Sequence, residues 1–289
     1  MIKHTILSAT LAAAVVTAPA FATPLKLEVF NPGEAAIFPV ASVLVTGDKD
    51  AVLVDAQFSR GEAVKLVEKI RASGKKLTTV YISHSDPDFY FGLDVIHAAF
   101  PAAKIVATAP TVAGIEKKKD AKVAHWGPIL KDNAPKTVIV PRVLKGDTIT
   151  LEGQSLKIEG LTGPTPDRSY VWIPSIKAVV GGVVVFNDLH VWVADTQTAE
   201  SRKNWLTTLA GIDALKPVTV VPGHFKPGAP LTPAAVSFTR DYLVHFEAET
   251  AKAADSAALI TRMKQLYPTA GLPAALETSA KVAKGEMKW

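Results

Sequence analysis

The chain has 289 residues, of which 48% are hydrophobic and 20% charged, and its formal net charge is +5. This composition is typical of a globular protein and argues against a disordered chain. Because the sequence contains no cysteine, disulfides, thiolate metal ligands and a thiol nucleophile are excluded. The one basic run, at residues 117–119, has no interleaved aromatic residues, so we expect no nucleic-acid partner.

Residues 1–22 have the pattern of a secretory signal peptide. Lys3 and His4 give a positive start, residues 6–16 are apolar, and residues 20–22 read Ala-Phe-Ala, a small-x-small cleavage site. We expect cleavage after Ala22 and a periplasmic or secreted protein; an uncleaved membrane anchor is the alternative. Loss of the leader removes one lysine and lowers the net charge from +5 to +4. No later stretch reaches about 18 uninterrupted apolar residues, so we expect no membrane span after cleavage.

Strands and helices alternate in the first half of the mature chain. Apolar runs at residues 40–46 and 51–55, joined by Gly-Asp-Lys-Asp, predict a β-hairpin. Residues 59–73 have apolar side chains at helical spacing. A buried strand at 77–83, a short helix at 92–100 and a strand at 104–107 are predicted next. Residues 110–135 are expected to form a helix and then a loop around residues 125–128.

The second half repeats this alternation. Strands are predicted at 138–140, 148–151, 155–159, 169–173 and 178–185, with a loop at 162–168. A helix at 201–214 and a strand at 216–221 lead to a Pro-Gly-His sequence, and helices follow at 233–252 and 256–267. No linker rich in Pro, Gly or Ser interrupts residues 23–289, which predicts a single domain. We expect two similar α/β halves packed sheet to sheet, with helices outside and one site between them.

The most informative stretch follows the strand at 77–83. His84, Asp86 and Asp88 alternate there, and alternate residues of an extended segment point the same way. One imidazole and two carboxylates form a ligand set for a divalent cation. The alternative interpretation is that the two aspartates cap the helix predicted to begin near Gly92.

From about residue 25 to 230 the chain resembles the metallo-β-lactamase superfamily. That family has a hairpin that ends in an aspartate, here Asp55, and a signature His-x-His-x-Asp-His after a strand, here the segment from His84 to Phe89. It also has a late Pro-Gly-His, which matches His224 and the two residues before it. The resemblance implies an α/β fold, specifically an αββα four-layer sandwich, and a metal-dependent hydrolase.

Four family positions are changed in this chain. Asp86 and Phe89 stand where the signature has histidines, and Pro164 stands where a mid-chain Gly-His motif has its histidine. Gly182, in the Gly-Gly pair at 181–182, lies where the family has a bridging aspartate. We therefore expect a remodelled site with one metal ion rather than two.

The remaining candidate metal ligands are His84, Asp86, Asp88 and His224. By resemblance they would hold one divalent ion, zinc, with iron or manganese as alternatives because the set is rich in carboxylates. Such an ion lowers the pKa of bound water to about 7. With Asp86 on the metal, Asp88 is the candidate catalytic residue, acting as a general base.

Three further residues are candidates for substrate binding. Tyr90 would donate a hydrogen bond to an oxyanion or pack its ring in the core. Asp167, with Arg168, would lie near the pocket and contact the substrate or form a loop salt bridge. His190 would lie on the rim and replace a lost ligand. Trp126, after His125, would form part of a lid or a structural corner.

These patterns support two hypotheses about function. The first is an exported metal-dependent hydrolase that cleaves an ester, lactone, thioester or amide of a small-molecule substrate by a metal-activated water. The second is a catalytically inactive protein of the same fold that binds a small molecule. A compact cluster of at least four ligands would favour the enzyme, and apolar packing around Phe89 and Pro164 would favour the binding protein.

Overall fold

Two β-sheets face each other in the structure, a computed structural model that describes residues 23–289. The predicted signal peptide lies outside the described residues. The first sheet has six strands in the order β1-β2-β3-β4-β5-β6; β1 to β3 are antiparallel, and β3 to β6 are parallel. Its strands are β1 Lys26–Phe30, β2 Ser42–Thr46, β3 Asp50–Val54, β4 Lys76–Ile82, β5 Lys104–Ala107 and β6 Arg142–Val143.

The second sheet has five strands in the order β12-β10-β9-β8-β7, and a two-stranded sheet pairs β11 with β13. In the larger sheet β10 and β12 are parallel and the other neighbours antiparallel. The strands are β7 Thr148–Leu151, β8 Gln154–Glu159, β9 Tyr170–Ile173, β10 Ala178–Val180, β11 Phe186–Asn187, β12 Thr219–Val221 and β13 His224–Phe225.

Eight α-helices of the described residues accompany the sheets, with short 3-10 turns at Lys131–Asn133 and Pro174–Ile176. The helices are α1 Arg60–Ala72, α2 Pro87–Tyr90, α3 Leu93–Ala99, α4 Ala109–Leu130, α5 Ala199–Ala214, α6 Ala234–Lys252, α7 Ser256–Leu266 and α8 Pro273–Ala283. None of the helices within residues 23–289 has both the length and the apolar character that a membrane crossing requires.

Successive side chains along each strand point alternately into two buried layers, which is why the two sheets stack. In β3, Val52 and Val54 pack in the cluster between the sheets, whereas Leu53 packs in the cluster beneath the helices. In β9, Val171 faces the inter-sheet cluster and Trp172 the helix-side cluster. Successive side chains of a strand point to opposite faces, so each sheet is covered on both sides. This arrangement is the predicted αββα sandwich.

Glu152, in the turn between β7 and β8, connects the two sheets at the end opposite the carboxyl end of β3. Its carboxylate accepts hydrogen bonds from the backbone N–H groups of Asp48, Lys49 and Asp50 at 2.7–2.8 Å. Those three groups form the β2–β3 turn, so a side chain of one sheet caps a turn of the other. The bonds lower the pKa of Glu152.

Most predicted elements are confirmed, and three need correction. The hairpin, the helix after Ser59 and the strand at 104–107 lie where they were predicted. The predicted loop at 125–128 is wrong, because α4 continues through these residues to Leu130. No strand forms at 138–140, and the strand predicted at 178–185 stops at Val180, before two glycines. Strand β1 and helix α8 had no counterpart in the prediction.

Candidate active-site cleft

The floor of the site is formed by backbone from both halves of the chain. Strand β10 is followed by Gly181 and Gly182, which have φ angles of +70° and +82°. Gly223 follows β12, and a Cβ added there would overlap the carbonyl oxygen of Gly182. The two loops therefore approach so closely that only glycine fits at 223. A Cβ on Gly182 would lie 2.5 Å from the carbonyl oxygen of Ser169, so no carboxylate side chain fits there either.

A buried polar network lies directly beneath this floor. Asp55, with φ of +64°, accepts hydrogen bonds from the backbone N–H (2.8 Å) and hydroxyl (2.7 Å) of Ser83. The Ser83 hydroxyl in turn accepts the N–H of Gly182 at 2.9 Å. Ser169 bonds to Tyr81 at 2.7 Å and donates to the carbonyl of Ser83 at 3.1 Å. Burial raises the pKa of Asp55 to about 7, against the opposing effect of the Ser83 bonds.

His84 and Asp86 form the first of two imidazole–carboxylate pairs above the floor. The Nδ1 atom of His84 accepts the backbone N–H of Asp86 at 3.3 Å and lies 3.4 Å from its Oδ2 atom. Burial, followed by the charge of Arg168, lowers the pKa of His84 to about 4, so the ring is neutral at neutral pH. Burial and the neighbouring Asp195 raise the pKa of Asp86, and the Nζ atom of Lys122 lies 3.8 Å from its Oδ1 atom. Asp86 is the N-cap residue of α2 but makes no capping bond with its side chain.

Asp88 and His224 form the second pair. Their side chains are buried, and Nε2 of His224 lies 3.2 Å from Oδ2 of Asp88. His224 stacks on Phe186 with ring centroids 4.9 Å apart and planes inclined by 27°. Within the described part of the chain, its Nδ1 atom has no hydrogen-bond partner. The pair therefore joins the signature segment to the Pro-Gly-His segment, as the sequence predicted.

Phe89 packs against one imidazole of each pair. Its ring is fully buried and meets both His84 and His224 edge-on, with centroids 5.5 Å apart in each case. The predicted convergence of all four ligands is therefore not seen: within residues 23–289, no group of three or more His, Cys, Asp or Glu side chains is placed to hold a metal ion. Phe89 stands at one of the histidine positions of the family signature, and its ring supplies no ligand atom.

Aromatic side chains and one shared carboxylate form the walls above these pairs. Phe38 packs against Trp126 at 5.4 Å and Trp192 at 6.1 Å, both edge-on. Trp192 also packs against Trp289 at 5.0 Å. Asp195 accepts the indole N–H of Trp192 at 2.8 Å and that of Trp289 at 2.7 Å. One carboxylate thus fixes two tryptophans that are 97 positions apart in the chain (289 minus 192).

These walls enclose a narrow cleft. The space measures about 490 Å³ with its open mouth, and about 40 Å³ of it admits the centre of a water molecule. Apolar walls with a few converging polar groups are typical of small-molecule sites. The lining residues are Phe38, Asp86, Pro87, Asp88, Lys122, Trp126, Val183, Phe186, Trp192, Asp195, His224, Leu272 and Trp289.

The three residues predicted to bind substrate do not line this cleft. Tyr90 packs in the core, where its hydroxyl has no partner among the described residues and burial raises its pKa. His190 is buried, and its Nδ1 atom lies 3.1 Å from the hydroxyl oxygen of Tyr242. Burial lowers the pKa of His190 to about 4. Asp167 is exposed, as is Pro164, whereas the adjacent Arg168 is buried against the ring of Trp205. The predicted apolar packing thus exists around Phe89 and not around Pro164.

Sequence reasoning missed most of the wall. Phe38, Phe186, Asp195 and Trp289 are not among the residues that the sequence predicts for the site. Each stands alone in its segment, so no local pattern marks it. The one available indication was Trp126, which the sequence placed in a lid or a corner and which the structure places in the cleft wall.

The sequence-family model of the metallo-β-lactamase superfamily matches residues 36–224, more than half of the chain. The chain belongs to the metallo-β-lactamase superfamily. Members of this superfamily are mostly hydrolases and generally bind divalent metals, often zinc, so membership suggests a metal-dependent hydrolase. No curated protein sequence matches the chain significantly.

Solved structures of the metallo-β-lactamase fold are similar to this chain at low sequence identity. A metallo-β-lactamase family protein from Thermus thermophilus has a TM-score of 0.63 and 14% identity, covering 90% of this chain and 91% of its own. A metallo-β-lactamase from Pontibacter korlensis has a TM-score of 0.53 and 17% identity, covering 78% and 96%. The DIM-1 metallo-β-lactamase has a TM-score of 0.51 and 19% identity, covering 78% and 99%. Similarity at this identity establishes the fold.

The side chains present do not fit the metal centre that superfamily membership implies. Catalytic zinc sites use three protein ligands and structural sites four, each about 2 Å from the metal. Among residues 23–289, Asp88 and His224 approach each other as a pair, and the ring of Phe89 packs beside His224. Asp86 is paired with Lys122 instead. The glycine pair at 181–182 leaves no room for a further carboxylate.

Proposed function

We propose that this protein binds a small organic molecule in the aromatic cleft and lacks the metal-dependent hydrolysis of its superfamily. The observation that carries the proposal is the position of Phe89, whose buried ring packs against both His84 and His224. An aromatic ring donates no lone pair to a metal, and here it takes a position that a histidine ligand occupies in the family signature. The fold is kept, while Phe89 introduces apolar packing at one ligand position of the superfamily.

The cleft itself supports binding. Its walls are mainly aromatic, and the carboxylates of Asp86, Asp88 and Asp195 converge on it together with the Lys122 ammonium. Apolar walls supply most of the free energy of binding for a small molecule, and a few polar groups fix its orientation. Asp195 holds Trp192 and Trp289 in place, so part of the wall is preorganised.

Metal content tests this proposal directly. Protein purified without chelator should contain less than about a tenth of an equivalent of any transition metal, because two donors do not make a site. Added zinc, iron or manganese should not produce turnover of esters, lactones, thioesters or amides. A stoichiometric metal that is retained through dialysis, together with metal-dependent turnover, would overturn the proposal.

A matched pair of variants tests the role of Phe89. Phe89→His supplies a third donor beside Asp88 and His224 and should tighten zinc binding by at least about tenfold in calorimetry. Phe89→Leu keeps an apolar side chain, supplies no donor and should bind zinc no better than the parent protein. If the parent already binds zinc as tightly as Phe89→His, the aromatic ring is not what prevents metal binding.

A second candidate function is favoured by the Asp88–His224 pair. An imidazole held 3.2 Å from a buried carboxylate is an arrangement that can hold and move a proton. In this case the protein would hydrolyse an ester, lactone, thioester or amide, the reaction type of its superfamily. Turnover that resists chelators and is abolished by both Asp88→Asn and His224→Gln would favour this candidate over simple binding.

We further propose that the protein acts outside the cytoplasm, on the strength of the leader pattern at residues 1–22. Expression of the full chain should yield a mature protein that begins at Thr23 and is recovered from the periplasm or the medium. Mass spectrometry of the purified protein distinguishes this result from an uncleaved chain in the membrane fraction, which would contradict the proposal.

A further inference from the structure

The cleft already contains one organic cation, which is contributed by the chain itself. The Nζ atom of Lys122 lies 5.6 Å from the centroid of the Trp289 ring and 3.8 Å from Oδ1 of Asp86. A cation over an indole face is attracted by the negative potential of the ring, and a nearby carboxylate adds to that attraction. The position between Asp86 and Trp289 is therefore built to hold a positive charge.

The charges that line the cleft leave room for more positive charge. Asp86, Asp88 and Asp195 contribute three carboxyl groups to the lining, and Lys122 contributes one ammonium group. Asp195 accepts the N–H groups of two indoles, and Asp86 is paired with Lys122. Within the part of the chain that the structure describes, Asp88 bonds to neither an indole nor a lysine and is paired with His224 at the floor of the cleft. An anionic ligand would meet these carboxylates in a partly desolvated site, where repulsion is strong.

The shape of the cleft restricts the size of the ligand. About 40 Å³ of its volume admits the centre of a water molecule, so a small ligand is favoured. Phe38, Trp126, Trp192 and Trp289 present apolar surface to the cleft. A flat aromatic body can make ring–ring contacts with these walls. A bulky or branched ligand would have to displace the tryptophans.

We propose that the ligand of this cleft is an organic cation with a flat, apolar body, such as an aromatic ammonium or amidinium compound. This inference rests on the proposed function, since it names the class of molecule that the cleft binds. The flat body packs between the aromatic walls, and the positive group lies between the carboxylate of Asp88 and the indole face of Trp289. A neutral compound of the same shape packs between the aromatic walls but lacks the attraction to the Asp88 carboxylate and the Trp289 indole.

Three probes of nearly equal shape separate these contributions. Benzamidinium is a flat cation, benzamide is its neutral counterpart and benzoate its anionic one. Calorimetry at neutral pH should give benzamidinium an affinity at least about tenfold above that of benzamide, with benzoate the weakest, because charge and cation–π attraction act on the first alone. Three of the five tryptophans of the chain line the cleft, so benzamidinium should also change the intrinsic fluorescence.

Two lysines on α4 provide a matched pair of variants. Lys122→Met removes the cation that already occupies the cleft and should tighten benzamidinium binding by about tenfold. Lys118→Met removes the same charge one turn earlier on the helix, outside the cleft lining, and should change the affinity by less than about twofold. Asp88→Asn should weaken benzamidinium about tenfold, whereas Asp120→Asn, on an exposed part of α4, should not.

The possible outcomes distinguish this inference from the proposed function. If benzamide or benzoate binds in the cleft as tightly as benzamidinium, the cleft binds small molecules but the preference for cations is wrong. If none of the three probes binds at millimolar concentration or changes the tryptophan fluorescence, both proposals are overturned. Binding of benzamidinium alone, strengthened by Lys122→Met and not by Lys118→Met, supports both.

Discussion

The carboxylate of Asp55 accepts both the backbone N–H and the hydroxyl hydrogen of Ser83, at 2.8 and 2.7 Å. Ser83 precedes His84, and its hydroxyl also accepts the N–H of Gly182 from the other half of the chain. One fully buried carboxylate thus fixes the position of the signature loop and of the glycine floor. Four consequences of the site geometry can be tested.

The first prediction concerns the pH dependence of stability. Burial raises the pKa of Asp55 to about 7 from an ordinary value of 3.8, so the folded state binds this proton more tightly than the unfolded state does. The contribution of Asp55 to the free energy of unfolding is therefore full below about pH 4. It falls as the pH rises to about 7, by about 4 kcal/mol, and is constant above.

Asp55→Asn isolates this contribution, because asparagine does not titrate and tolerates a positive φ. Urea denaturation of the parent and the variant at pH 5 and pH 8 should show the variant gaining stability relative to the parent as the pH rises. Asp120→Asn, at an exposed position, should show no such change. An equal offset between Asp55→Asn and the parent at both pH values would contradict the raised pKa.

The second prediction concerns the packing of Phe89. Phe89→Ala should lower the free energy of unfolding by about 3–5 kcal/mol, because a fully buried aromatic ring that packs against two imidazoles is replaced by a cavity. Phe89→Leu retains much of the apolar volume and should cost less. Chemical denaturation measures both. A loss below about 1 kcal/mol for the alanine variant would mean that the ring does not fill this space.

The third prediction concerns the close approach of the two loops in the floor. Gly223→Ala should destabilise the protein by at least about 2 kcal/mol, because the added Cβ would overlap a backbone carbonyl oxygen that cannot rotate away. Gly127→Ala is the matched control, since open space surrounds Gly127 within α4, and it should stabilise the protein by about 0.5–1 kcal/mol. Chemical denaturation measures both variants, and a change in the free energy of unfolding of the same sign for both would refute the close approach of the two loops.

The fourth prediction concerns the carboxylate shared by two tryptophans. Asp195→Ala removes the acceptor of both indole N–H groups, so Trp192 and Trp289 should become more accessible to acrylamide quenching. Global stability should change by less than about 0.5 kcal/mol, because Asp195 and Trp289 are exposed. Unchanged quenching would show that the aromatic contact between the two rings is sufficient to hold them.

Local chemistry explains which elements could be predicted from the sequence. The β2–β3 hairpin was predictable because Gly-Asp-Lys-Asp separates two apolar runs, and α1 because Ser59 and Glu62 form a capping box. The loop at 125–128 was wrongly predicted from Gly127 and Pro128. Proline in the last turn of a helix removes a single backbone hydrogen bond, and the packing of Trp126 on Phe38 and Phe58 offsets that cost.

The candidate site was also predictable from the sequence only in part. The two segments that carry His84, Asp88 and His224 were predictable, because each follows a buried strand and the strand ends meet at one edge. Their division into two pairs was not, since it depends on which way the Phe89 ring points. The wall formed by Phe38 and Trp289 depends on contacts across 251 positions (289 minus 38), and no periodicity in the sequence records such contacts.

The contact between Glu152 and the β2–β3 turn has a consequence for how ligands enter the cleft. The two sheets are joined at one end by this carboxylate and at the other by the hydrogen bonds around Ser83. Sheets connected at both ends cannot rotate apart as two halves of a clamshell. We therefore expect ligands to enter through the mouth of the cleft without separation of the two sheets.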